Sequence, residues 1–457
     1  MDRAPLGSDV YRSFAKLKRH VDALVRLAGP IVVARSGVIL MATVDMVMTG
    51  HYDSQQLAYL SIGLALVMPM MVGGLGLLMG TLVISANRFG AGDYPACGQA
   101  WRYSLPYAFG LGFASAVVSL FGESLLALVG QSQELAAHGG DVMMVIGLGL
   151  PVYLVYLTTA FFMEGISKPV PGMIAMLGAN VVNALLNWVF IFGKLGVPEM
   201  GAVGAAWATT ASRCIIAVAL ITYVWTMKEQ VIFGVRVRPP GGWRAWAQQR
   251  WIGYGVGTSI GVETSSFAAV NMFAGWLGPL PLAAYSIAFN LLAMVFMVAL
   301  GLGAATSVRV SVAHGRNDLS DLRLAGWTGL GVNTLTMIAF GLLFLFAAEP
   351  LTRIFTNDPA LMVITAPLVA FMAYLPIVDG GQAVMANALR GRQDVWIPSA
   401  MQSFAFFGVM VPAVYLFVFP GGQGAIGLLQ GVLLGSGVSF ILLTWRFHHL
   451  ARHSFLH

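Results

Sequence analysis

Apolar runs of about 20 residues, separated by Gly, Pro, Asp or basic residues, recur along nearly the whole of this 457-residue chain. A run of that length crosses the roughly 30 Å hydrocarbon core of a bilayer as an α-helix. Only helices and closed barrels satisfy their backbone polar groups there. Composition agrees, with 58% hydrophobic and 10% charged residues and a mean hydropathy of +0.79. The 54 glycines and 24 methionines suit helices that pack closely in lipid. The pattern predicts an all-α membrane protein of twelve transmembrane helices, near 24–50, 56–81, 98–121, 139–162, 170–193, 201–226, 248–276, 282–311, 324–347, 360–388, 396–419 and 424–447.

The basic residues orient these helices, because cytoplasmic loops carry the excess of Lys and Arg. Lys16, Lys18, Arg19, Arg88, Lys168, Lys228, Arg236, Arg238, Arg244, Arg316, Arg323, Arg390, Arg392, Arg446 and Arg452 fall on one side, against little beyond Lys194 and Arg353 on the other. Both termini are expected in the cytoplasm. A net charge of +6 dispersed over loops is not a groove-binding patch, so nucleic acid is not an expected partner. Residues 1–23 read as a cytoplasmic amphipathic lead-in rather than a cleaved signal peptide. Cys97 and Cys214, at the cytoplasmic face and within the membrane, are not expected to pair.

A single shift of 225 residues superposes the second expected helix on the eighth without a gap. Gly50 meets Gly275, Leu57-Ala58 meets Leu282-Ala283, Ser61-Ile62 meets Ser286-Ile287, and Leu75-Gly76-Leu77 meets Leu300-Gly301-Leu302. Thr81 falls on Thr306, Gly90 on Gly315 and Asp93 on Asp318. Scattered leucine matches arise from apolar composition alone, but Gly, Ser, Thr and Asp in one register do not. The chain reads as two pseudo-symmetric six-helix lobes, 24–226 and 248–447, joined by a cytoplasmic linker over 227–247 and followed by a tail over 448–457. Since six is even, the lobes are parallel repeats, and their interface is the expected substrate path.

Three acids interrupt the apolar runs: Asp45, Glu263 and Asp379. A carboxylate deep in a bilayer costs on the order of 2.5–3.5 kcal/mol even on a lenient insertion scale, so such acids face a partner, a cavity or an ion path. Asp45, near the outer end of the first helix, either snorkels to the interface or meets Asn183, Asn187 and Thr209 at similar depth. The asparagines, four apart, share a helix face. A carboxylate, two amide oxygens and a hydroxyl form a hard oxygen set suited to a small cation such as Na+ or to a proton relay. Glu263 is either a protonated acid satisfied by Thr264, Ser265 or Ser266, or a coupling group. Asp379 lies between Pro376 and Gly380-Gly381, a pattern that loosens a helix and frees carbonyls. Arg35 and Arg213 are further intramembrane charges that either partner an acid or snorkel.

Catalytic signatures are absent from the sequence. All eight histidines are expected in loops or at termini, without an HExxH pattern, and no GxxxxGK[ST] phosphate loop occurs. The chain is not expected to be an enzyme or to carry a cofactor.

Several segments together resemble the multidrug and toxic compound extrusion (MATE) family, most closely its bacterial NorM-type branch. They are LAGPIVVA at 27–34, VDMVMTG at 44–50, GLGLLMG at 74–80, NVVNALLNWVFIFGKLGVPEMGAVGAAWAT at 180–209, GVETSSF at 261–267, GAATSVRVSVAHG at 303–315 and VDGGQAVMANALRG at 378–391. The resemblance implies a V-shaped pair of lobes, alternating access, and export of cationic or amphipathic drugs driven by Na+ or H+. It further implies that Asp45, Asn183, Asn187 and Thr209 form an N-lobe cation site, and that Glu263 and Asp379 serve in the C-lobe. Relatives of that branch place Tyr one turn before the C-lobe Asp, where this chain has Leu375, with Tyr374 beside it.

The expected function is a secondary multidrug antiporter of a bacterial inner membrane, working as a monomer on small-molecule drugs. A lipid-linked oligosaccharide flippase is the alternative, and it calls for several basic cavity residues where this chain offers chiefly acids. A membrane-embedded enzyme is a third, disfavoured by the missing catalytic constellations.

Overall fold

The computed structural model describes residues 6–356 and 358–452, with side chains from Lys16 onward. The first five residues, and the tail from His453 to His457, lie outside the described residues. The regular structure among the described residues is helical. The helices are α1 (Leu6–Tyr52), α2 (Ser54–Gly90), α3 (Tyr94–Ser119), α4 (Gly122–Leu128), α5 (Gln133–Leu148), α6 (Leu150–Gly165), α7 (Val170–Ile191), α8 (Gly201–Thr226) and α9 (Ala247–Trp276). They continue with α10 (Pro279–Gly315), α11 (Leu319–Phe346), α12 (Ala348–Arg353), α13 (Pro359–Phe371), α14 (Leu375–Gly391), α15 (Trp396–Ser403), α16 (Val411–Val418) and α17 (Gly424–Arg452). A π-helical segment, Phe404–Met410, joins α15 to α16.

Among the described residues, eight helices are long and apolar enough to cross a membrane, and three bent pairs raise the number to eleven. The pairs are α3 with α4 (63°), α5 with α6 (43°) and α13 with α14 (49°). The remaining expected span is α9, whose 30 residues reach about 45 Å at 1.5 Å per residue. Its Glu, Thr, Ser and Gly content keeps it out of the apolar set.

The repeat is visible as geometry. α2 and α10 each have 37 residues, and their ends, Ser54–Gly90 and Pro279–Gly315, differ by the shift read from the sequence. Each is followed by a residue in the left-handed region, Gly92 (φ 78°) and Asn317 (φ 56°). An aspartate then caps the next helix. Asp93 accepts from the Ala96 amide at 3.3 Å, and Asp318 from the Asp321 amide at 3.0 Å. These side chains satisfy amides that a helix start leaves without intrahelical partners.

The chain divides into two compact units, one of residues 33–260 and one of residues 1–32 with 261–457. Both breaks fall inside continuous helices, α1 and α9. In the 33–260 unit, the first part of α9 lies backbone-close to α2. A Cβ at Gly253 or at Gly80 would collide with the Leu77 or the Gln249 carbonyl. Gln249, buried, donates to Thr81 Oγ1 and to the Ala100 carbonyl, both at 3.1 Å, and to Ser104 Oγ. The core of the other unit gathers Val270, Leu292, Met337, Leu368, Phe406 and Leu428. Leu24, Leu27 and Ile31 of α1 are buried as well.

The expected lead-in runs into the first span as one helix, α1, continuous from Leu6. Three expectations need correction. The described histidines lie in helices rather than loops. His20 is buried, its Nε2 3.0 Å from Asp321 Oδ1 and its Nδ1 2.9 Å from Arg309 Nη2. Arg390 is not a loop cation but a buried residue of α14. The fourth expected helix is broken at Gly149, where Pro151, in the first turn of α6, cannot donate to the preceding turn.

Candidate functional site

The Asp45 group assembles from three helices of the 33–260 unit. α7 and α8 are joined by a short connection with Gly193, Leu195 and Gly196 at positive φ, as is Gly201 at the start of α8. Gly204 lies against the Phe190–Ile191 backbone, where a Cβ would not fit. That close approach brings Asn183 and Asn187 of α7 opposite Thr209 of α8. Asp45 Oδ1 accepts from Asn183 Nδ2 at 3.0 Å and Asn187 Nδ2 at 2.6 Å, and Oδ2 accepts from the Thr209 hydroxyl. Asn183 Nδ2 is also 3.3 Å from Thr209 Oγ1, and Asn187 Nδ2 is 3.2 Å from Asn183 Oδ1. Asp45 is 6% exposed, so it does not snorkel to an interface. Asn187 Oδ1 is buried without a hydrogen-bond partner.

Arg213 follows Thr209 by one turn on the same face of α8. Its guanidinium lies 4.8 Å from the Tyr153 ring centroid and 3.5 Å from Met71 Sδ, within electrostatic range of Asp45. Arg35 has a direct partner that the sequence reading missed, Glu164 of α6, at 3.3 Å. Glu164 lies just past the expected end of the fourth helix. An intramembrane Arg without an assigned carboxylate was the signal that could have found it.

The second group joins Glu263 of α9 to Asp379 of α14 through a residue not anticipated, Gln382. Gln382 Nε2 donates to Glu263 Oε1 at 3.2 Å and, more weakly, to Asp379 Oδ1 at 3.5 Å. Ser436 Oγ of α17 donates to Asp379 Oδ1 at 3.1 Å. Gln402 Nε2 (3.1 Å) and Ser439 Oγ (3.4 Å) complete the chain at Gln382 Oε1. The bend between α13 and α14 falls just before Pro376, as the Pro and Gly pattern predicts.

Thr264 and Ser265 are exposed, and Ser266 bonds its own helix at the Val262 carbonyl. Gln382 takes the place expected for those hydroxyls. Leu375 is buried in the core, while Tyr374 is 57% exposed and packs on Phe371. Arg390 donates to Asn387 Oδ1 at 3.4 Å and lies within electrostatic range of Glu263. Beside this group, Asn333 of α11 is fully buried with neither amide atom hydrogen-bonded. Among the described residues, no set of three or more His, Cys, Asp and Glu is placed to hold a metal ion.

The MatE family model matches the chain twice, over residues 30–189 and 258–416. The starts of the two matches are offset by close to the repeat shift. The chain is 37% identical over 428 residues to a probable multidrug resistance protein NorM of Caulobacter vibrioides, covering 93% of this chain and 91% of that protein. It is 30% identical over 448 residues to the multidrug resistance protein PmpM of Pseudomonas aeruginosa, covering 96% and 93%. A solved outward-facing multidrug resistance MATE family transporter of the MOP superfamily shares the fold at a TM-score of 0.87, with 20% identity over 94% of this chain and 96% of that one. With a duplicated helical fold, membrane-length helices and full-length relatives in agreement, the chain belongs to the MATE family of membrane transporters.

Proposed function

We propose that this chain is a multidrug efflux antiporter that exports cationic or amphipathic compounds in exchange for Na+ or H+ by alternating access. One observation carries the coupling role. Asp45, Glu263 and Asp379 hydrogen-bond to neutral amides and hydroxyls, and none is in an ion pair among the described residues. A carboxylate kept in a membrane interior without a bonded cation is suited to taking one up, as a proton or a metal ion. At Asp45, rotating the Asn187 amide would turn its unpaired Oδ1 inward and add an oxygen to those of Asp45 and Thr209, a donor set suited to Na+. At Glu263 and Asp379, two carboxylates sharing one amide suit the holding of a single proton or cation between them. Family membership and its multidrug-resistance relatives favour this reading over an enzyme. The pairing of Arg35 with Glu164 leaves fewer free cations for the anionic cargo of a flippase.

Everted vesicles loaded with a fluorescent cation test the coupling, with Na+ and H+ gradients imposed separately. Accumulation driven by at least one gradient is expected, and accumulation indifferent to both would overturn antiport.

The two six-helix halves, 24–226 and 248–447, act in this proposal as transport lobes. The two repeats in one chain support function as a monomer. The basic-residue asymmetry supports insertion in a bacterial inner membrane with both termini and the Lys228–Arg250 segment cytoplasmic. A cysteine introduced at Gly242 should react with an impermeant maleimide in everted vesicles and not in intact cells. The opposite labelling would invert the topology.

A further inference from the structure

The segment that returns from α8 to α9 packs on α3 and borders an open cavity of about 750 Å³ there, wholly inside the 33–260 unit. Its lining combines two chemistries. Arg102 of α3 and Arg238 of the returning segment both line it, and no acidic residue does. Neither arginine is in an ion pair among the described residues. The Arg102 guanidinium rests 5.7 Å from the Trp225 ring centroid. C-terminal to Arg102 along α3, Leu105, Pro106, Gly110 and Leu111 also line the cavity. This apolar stretch extends about 14 Å from Arg102 at 1.5 Å per residue. Pro106 and Gly110 are exposed, and a Cβ at Gly110 would meet open space, so the strip is a shallow groove on an outer face of the helix.

The rest of the lining is largely aromatic and internally braced. The Arg250 guanidinium lies 3.8 Å from the Trp243 ring centroid and 4.3 Å from that of Trp246, and it donates to the Trp243 carbonyl. Tyr107 packs edge-on against Trp246 at 5.3 Å, and the Tyr103 hydroxyl donates to the Pro240 carbonyl. These contacts hold the segment on α3 in a fixed shape, so a ligand meets a preformed site. Trp and Tyr beside Arg, at the end of an apolar strip, is the arrangement proteins present to the interfacial zone of a bilayer.

We propose that this cavity binds an anionic phospholipid, its phosphate between Arg102 and Arg238 and one acyl chain along the Leu105–Leu111 groove. Two arginines without acidic neighbours disfavour the cationic compounds proposed as cargo, so the site is separate from the transport path. A free phosphate would use the arginines and leave the apolar groove empty.

The test uses the full-length chain in detergent, titrated with phosphatidylglycerol or phosphatidylcholine carrying brominated acyl chains, with quenching of tryptophan emission as the readout. Phosphatidylglycerol should half-saturate the quenching at a concentration at least about tenfold lower than phosphatidylcholine, from two arginines near a lipid phosphate. The Arg102→Gln/Arg238→Gln variant should lose that preference, whereas Lys194→Gln/Arg353→Gln, which removes cations outside the cavity, should keep it. Gly110→Phe fills the groove without touching either arginine and should weaken phosphatidylglycerol binding, giving a second arm if the double variant is unstable. Equal quenching by both lipids, a preference unchanged in the arginine variant, or binding unchanged in Gly110→Phe would overturn the proposal. Inorganic phosphate that displaces the lipid at equal concentration would reassign the site to a free anion.

Discussion

Replacing Asp379 with Asn, Glu263 with Gln or Asp45 with Asn is expected to lower gradient-driven drug efflux by about 5–150-fold, the range of a typical coupling free energy. Insertion and folding should be preserved. Each amide is nearly the size of the acid it replaces and cheaper to bury in a membrane. In Asp379→Asn, Ser436 can still donate to the new amide oxygen in place of Asp379 Oδ1. In Glu263→Gln, Gln382 can likewise donate to the new amide oxygen in place of Glu263 Oε1. Asp45→Asn should in addition weaken any sodium binding, because it removes the only formal negative charge in the Asp45, Asn183, Asn187 and Thr209 group. Reconstituted vesicles, with protein content normalised, provide the measurement. Wild-type efflux rates from all three variants would return these acids to a structural role.

The second large effect is on stability. Glu164→Gln should destabilise the protein by about 3–5 kcal/mol, the cost of breaking a buried ion pair from one side. Arg35 and Glu164 meet at 3.3 Å with side chains only 15% and 8% exposed, and the guanidinium also lies 5.2 Å from the Phe161 ring centroid. The single variant strands the Arg35 charge. In the double variant Arg35→Met/Glu164→Gln no charge remains, and most of the stability should return. Thermal unfolding in detergent compares the three proteins. A single variant as stable as wild type, or a double variant no better than the single, would show that the pair does not act as a unit.

The same two positions have an inverted counterpart. Counting from the starts of the two family matches, Arg35 corresponds to Glu263. Glu164, one residue before the glycine that ends α6, corresponds to Arg390, one residue before the glycine that ends α14. Where one half pairs a cation on its first helix with an anion on its fourth, the other half has the charges exchanged. Glu263 and Arg390 remain within electrostatic range of each other without a direct ion pair. Gln382 takes the hydrogen bond to Glu263 instead, which leaves that acid without a bonded cation.

The membrane class, the approximate course of the spans and the duplication were legible because each follows from run length, composition and register along the chain, whereas the breaks within α3–α4, α5–α6 and α13–α14 were not all marked. The 225-residue shift reappears as two 37-residue helices with matching ends and matching aspartate caps. The Asp45 group was also legible, because Asn183 and Asn187 share a face by periodicity and an acid in an apolar run needs company. What the sequence did not determine was which helix faces meet. Gln382, Glu164, Arg390 and His20 gained their roles only from helices distant in sequence, and the breaks between compact units fall inside α1 and α9 where no composition shift marks them. Periodicity along a helix specifies which residues share its face. The partner of that face depends on the packing of helices far apart in the chain, and only the tertiary structure decided it.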